Sequence, residues 1–190
     1  MISIFTIVLI VHVLAVFFMT AVLAIEAIAL VHMRGAASPA EALPWINPVP
    51  RLSLFAVSSI FLILFTGGYL VMQEAAWRQA WGHVAGAAVL LMALLGAMTG
   101  KRMRAIRRGF YPGMEKNGER MERLRDPFLK VSLCVRIAVF VAIFLLVSTK
   151  PGTLLAIAMI VAAILLGLLL SKLPWSRSPV LSVVRAGAGK

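Results

Sequence analysis

The chain has 190 residues, 62% of them hydrophobic and 14% charged, with nineteen Lys and Arg against seven Asp and Glu and a formal net charge of +12. Together with a mean hydropathy of +0.98, this excludes an ordinary water-soluble domain, which could not hide so much apolar surface. The length suits a single integral membrane domain over 1–190.

Five segments are predicted to cross a bilayer, since roughly 20 apolar residues at 1.5 Å each span a hydrocarbon core of about 30 Å. The first runs over about 2–33 and carries no formal charge before Glu26. It is expected to stay as a span: a cleaved leader has a basic start and an apolar run of only about 7–15 residues. The stretch EALPWINPVPR follows, and Pro44, Pro48 and Pro50 predict an extended, stiff connector that holds Trp45 against the headgroups. The second span, 52–72, has no charge, and the third covers 81–100. A basic loop over 101–130 leads to the fourth span, 131–149, whose one charge is Arg136. Lys150, Pro151 and Gly152 break the helix before the fifth span, 153–171. Cys134, the only cysteine, is read as a packing residue.

The basic residues fix an orientation. With the N-terminus outside and the C-terminus cytoplasmic, the inner segments hold sixteen Lys and Arg, and the outer ones only Arg78 and Lys150. The positive-inside rule selects this arrangement. KRMRAIRR, directly after the third span, is therefore read as a topogenic segment rather than a nucleic-acid arm. Lys101, Arg102, Arg104, Arg107 and Arg108 are predicted to contact anionic headgroups, at about 1 kcal/mol per basic residue near such a surface.

The other half of that loop, Met114 to Asp126, mixes acids and bases. Glu119 and Arg123 stand four apart in the favourable order, and Met121, Leu124 and Phe128 fall on one side at helical spacing. This predicts a short amphipathic helix on the inner surface, ended by Pro127, resting on lipid or docking a cytoplasmic partner. Trp77 and Trp81 flank the outer end of the third span and Trp175 follows the fifth, as interfacial rings do. His32 is placed at the inner interface.

Ionisable groups at membrane depth are costly and hence the first candidates for function. Glu26 and Arg136 each fall roughly 10 Å from the inner end of their spans. They are expected to pair, or to share a polar cluster with Ser58 and Ser59, either as helix glue or as a working site. His12 lies about 15 Å into the first span, and His12, Met19 and Glu26 recur every seven residues along one face. Such a stripe suits a proton path, a metal site or simple packing. His83 sits at the outer end of the third span, about 10–12 Å from the level of His12 by helical rise. That offset counts against a His12 and His83 pair on a b-type haem and leaves open a haem with one histidine and a different second ligand. Copper is a further candidate, given ten Met and three His residues.

No metalloprotease spacing, phosphate-cradling loop or Ser, His and Asp constellation is present, which argues against an enzyme of soluble type. Gly82 with Gly86 and Gly96 with Gly100 form small-xxx-small pairs predicted to pack helices closely, and Ala156, Ala163 and Gly167 offer another small face. No internal repeat supports an inverted-repeat transporter.

HVLAVFFMTAVLAIEAIALVH, TGGYLV, WGHVAGAAVLLMALLGAMTGKRMRAIRR and LRDPFLKVSLCVRIAVFVAIFLLVSTKP together resemble a group of small bacterial predicted integral membrane proteins of unknown function. In its first-span histidine that group is loosely similar to the copper resistance D and HemJ-like membrane proteins. The resemblance implies a bacterial inner-membrane helical bundle with metal or haem involvement. The expectation is thus an all-α, five-span bundle in the inner membrane, acting in transport or as a partner subunit of a membrane complex, including a homo-oligomer, with no nucleic-acid partner. The alternative is a redox protein handling b-haem or copper through His12.

Overall fold

The computed structural model describes residues 3–73, 78–110 and 124–174. Among these the chain is all helical: α1 Ile4–Gly35, α2 Pro39–Ile46, α3 Val49–Gln73, α4 Ala80–Gly109, α5 Pro127–Thr149 and α6 Thr153–Lys172. Every one but α2 is long and apolar enough to cross a membrane, which makes five candidate spans. The helices pack largely in chain order, α3 between α1 and α4 and α5 between α4 and α6, with α1 also touching α5 and α4 touching α6. Large apolar side chains point outward, among them Leu154 at 85% and Phe65 at 74% exposure. Water would make such a surface an aggregation hazard, whereas lipid is its natural solvent.

Helix ends follow local chemistry. Ser3 caps α1 by accepting from the Thr6 amide at 3.1 Å. At the far end of α5, Lys150 adopts the left-handed conformation (φ 45°) and its amide donates to Leu146 O at 2.9 Å, closing the helix before Pro151 and Gly152.

Three sequence expectations are corrected. The Pro-rich connector is helical rather than extended. Ser38 accepts from the Glu41 amide at 3.4 Å, Glu41 accepts from the Ala37 amide at 2.8 Å, and Pro39 occupies the first turn, so a capping-box-like start nucleates α2. Pro50 falls in the first turn of α3, where its missing N–H has no intrahelical partner to lose. Trp45 is then brought onto His32, ring centroids 4.1 Å apart and stacked.

Second, the basic segment is not a loop. α4 continues to Gly109 because Lys, Arg, Met, Ala and Ile are good or adequate helix formers, and Arg107 and Arg108 in its last turn oppose the helix dipole. Third, Pro127 begins a helix instead of ending one: Asp126 caps α5 by accepting from the Phe128 amide at 2.9 Å, with Pro127 in its first turn. Leu124 and Phe128 therefore do not share a helix; Leu124 is fully buried in a turn. Residues 114–123 of the proposed amphipathic segment, and Trp77 and Trp175, lie outside the described residues.

The bundle has two distinct ends. At one, the end of α1, α2, the start of α3, the end of α4 and the start of α5 gather the basic residues. Arg34 on α1 donates from Nη1 to Asp126 O at 3.2 Å and to Arg125 O at 3.3 Å. Arg102 on α4 binds the Asp126 carboxylate at 2.6 Å and lies 4.2 Å over the Phe128 ring. Lys130 on α5 donates to the backbone carbonyl of Leu173, just past α6, at 2.5 Å. The protein thus engages Arg102, while Lys101, Arg104 and Arg108 are exposed and Arg107 is half-buried.

Candidate functional site

Glu26 on α1 and Arg136 on α5 meet inside the bundle. Arg136 Nη1 donates to Glu26 Oε2 at 3.0 Å and Nη2 donates to Oε1, a two-pronged pairing that fits the planar guanidinium. Arg136 is 2% exposed and the Glu26 side chain 14%. At such depth neither charge could stand without the other. Arg136 Nε also donates to Ser132 O, at 3.4 Å. Ser132 Oγ donates to Leu95 O at 3.3 Å, so its 2.8 Å contact with Thr99 Oγ1 is one in which Thr99 donates.

Of the two serines expected in this cluster, Ser59 is buried and Ser58 exposed, and among the described residues neither hydrogen-bonds to the pair. Ser132 takes that role instead, through its backbone carbonyl, and Thr99 bonds to the Ser132 hydroxyl. Gly96 stands beside the pair, where an added Cβ would lie 3.7 Å from Arg136 Nη1. A void of about 30 Å³ borders Glu26, Thr99 and Arg136, enough for a single water.

His12 occupies the other half of the bundle. Its Nδ1 lies 2.8 Å from Thr66 Oγ1 on α3, and that hydroxyl donates to Leu62 O. A hydroxyl has one proton, so Thr66 must accept from His12, which fixes the proton on Nδ1 and leaves the lone pair on Nε2. A side chain at position 67 would crowd the ring, since an added Cβ would meet His12 Cε1 at 3.1 Å. Gly67 lets the imidazole lie against α3.

The imidazole lines a cleft of roughly 660 Å³ between α1, α3, α4 and α5. The α1 wall runs from Phe5 to Met19, about 21 Å by helical rise. Ile63, Leu64, Val89, Phe140 and Ile143 make its walls apolar, and Gln79, His83 and Lys150 bring polar groups to the end remote from the basic residues. Trp81, expected at the lipid interface, is instead 4% exposed. It lines the cleft, donates from Nε1 to Gln79 Oε1 at 2.5 Å, and has Lys150 Nζ 5.7 Å over its ring. Met19, Ile60 and Met92 border both this cleft and the small void beside the ion pair. They form an apolar partition between the two.

His12, Met19 and Glu26 do share the inward face of α1, His12 and Met19 on the cleft and Glu26 below the partition. His83 is brought to the same cleft as His12. The glycines divide by role. An added Cβ at Gly82 would meet Val71 at 3.3 Å, so the two helices are close there. At Gly86 it would meet nothing within 4 Å, because this glycine faces the cleft and not a neighbouring helix, contrary to the packing expected of it. Gly100 is buried. The tightest approach is at Gly167 on α6, where an added Cβ would stand 2.6 Å from Val135 Cα and 3.0 Å from Cys134 O on α5.

No family model, curated protein or solved structure matches the chain. Fold and site therefore define a class only: among the described residues, a multi-pass helical bundle with five membrane-compatible helices, an apolar cleft bearing a histidine, and a buried ion pair.

Proposed function

We propose that this is an inner-membrane protein, N-terminus outside and C-terminus cytoplasmic, that holds a lipophilic small molecule in the cleft and acts in its transport or as a ligand-carrying subunit of a membrane complex. The cleft itself carries the reading: four helices leave roughly 660 Å³ open in one half of the bundle, whereas the other half is closed by side-chain packing and an ion pair. Binding sites are concave and mostly apolar, with a few placed polar groups, which describes this cleft. In that orientation, which the charge asymmetry supports, the cleft lies in the outer half and Glu26 with Arg136 in the inner half. Exposed Lys101, Arg104 and Arg108 would then face anionic headgroups.

Transport and subunit roles separate in liposomes. Proton-coupled movement predicts a flux in the reconstituted wild type that Glu26→Gln and His12→Ala abolish. Absence of flux in the wild type and in every variant counts against the transport role.

One observation favours a second reading, a b-haem or copper-handling redox protein. His12 has its Nδ1 proton held by Thr66, the arrangement that frees Nε2 as a metal ligand. His83, Met19 and Met92 line the same cleft and would be the further donors. Among the described residues no group of three or more His, Cys, Asp or Glu is placed to hold a metal ion, so any metal here would rely on His12 together with thioether donors or on a haem. Such a group would supply one-electron chemistry. A visible spectrum and metal analysis of the purified protein test this, and a preparation that stays colourless and metal-free after haem and copper are supplied contradicts it.

A further inference from the structure

We infer that the ligand of the cleft carries a hydroxyl donor at the level of His12: the site selects a lipophile with an O–H group over the same molecule without one. The inference rests on the cleft being a binding site and adds the chemistry by which it discriminates.

Three observations lead to it. The Thr66 hydroxyl gives its only proton to Leu62 O and so takes the proton of His12 Nδ1. The remaining ring nitrogen, Nε2, is then a pure acceptor, and among the described residues it has no protein partner. Finally, the ring borders the cleft halfway along the α1 wall, between Phe5 and Met19, where the surroundings are apolar. A buried acceptor without a donor is costly, and a site built to hydrogen-bond a substrate O–H rejects the analogue that lacks it far more strongly than an apolar pocket rejects a misfit. Anionic lipophiles are not selected at this level, because an acceptor nitrogen in an apolar wall offers an anion nothing. Metal coordination uses the same lone pair and is the rival use of it.

The test uses tritium-labelled 4-nonylphenol on the full-length, detergent-purified protein, displaced by unlabelled 4-nonylphenol or by 4-nonylanisole, which replaces O–H by O–CH₃. The phenol is expected to displace the label at about tenfold lower concentration than the ether, the worth of one hydrogen bond in an apolar site. His12→Phe keeps a flat ring and removes the acceptor, so the preference should fall to about one. Thr66→Val leaves the imidazole in place but frees its tautomer, and should reduce the preference to a few-fold without loss of folded protein. Equal displacement by phenol and ether in the wild type, or an unchanged preference in His12→Phe, overturns the inference while leaving the cleft as a binding site. No saturable binding of the label overturns both.

Discussion

The Arg136 guanidinium meets the Glu26 carboxylate with both terminal nitrogens, joining α5 to α1 across the interior of the bundle. Breaking one side strands the other charge in an apolar interior. Arg136→Leu is expected to cost about 3–5 kcal/mol, and the double change Glu26→Gln with Arg136→Met to recover most of it. Thermal unfolding in detergent compares them; a double variant as unstable as the single one would show that the charges themselves, not their pairing, hold the helices.

Gly167 and Gly86 make a matched contrast. Gly167→Ala drives a methyl group into the α5 backbone and should destabilise by about 1–3 kcal/mol. Gly86→Ala enters open space and should leave stability unchanged or raise it by up to about 1 kcal/mol through helix propensity. Unfolding midpoints read both, and equal losses would mean that α4 and α6 pack against their neighbours otherwise than described.

Asp126 holds the basic end through two different bonds, its carboxylate accepting from Phe128 N and from Arg102. Asp126→Ala should cost about 1–2 kcal/mol for the cap. Arg102→Ala should cost less than about 1 kcal/mol, because the Arg102 side chain is still 47% exposed and the pair is screened. Reversal of that order in unfolding experiments would assign the joint to the ion pair instead of the cap.

Orientation is testable with cysteines placed in a Cys134→Ser background. Gln79→Cys should react with an impermeant maleimide added to intact cells, and Arg104→Cys only after permeabilisation. The opposite pattern contradicts the assignment of the basic end to the cytoplasm.

The spans were legible in the sequence because the requirement is additive: enough consecutive apolar residues cross a bilayer whatever they touch. Glu26 and Arg136 were legible for a related reason, since the cost of a charge at depth points to its partner at the same level. Ser132 could have been found, standing four residues before Arg136 on the same face of α5. Thr66 could not, because its meeting with His12 depends on the register of α1 against α3, which no local pattern encodes. The cleft was hidden likewise. Gly86 reads as a close-packing residue in a small-xxx-small pair, and only the neighbouring helices reveal that it faces open space. Pro50 was misread because the helix-breaking effect of proline is absent in a first turn, whereas Pro44 stands inside α2, an eight-residue helix whose start is set by the capping pattern around Ser38.

The central claim, that the cleft holds a lipophile, is tested most directly by native mass spectrometry of protein extracted gently from the membrane, wild type beside Gly86→Phe. The substitution projects a ring into the cleft from a position with nothing within 4 Å, so it should fill the space without unfolding the helix. The account predicts a stable, stoichiometric lipophile adduct on the wild type that is lost in Gly86→Phe. An adduct equally present on both proteins, or absent from the wild type, contradicts it.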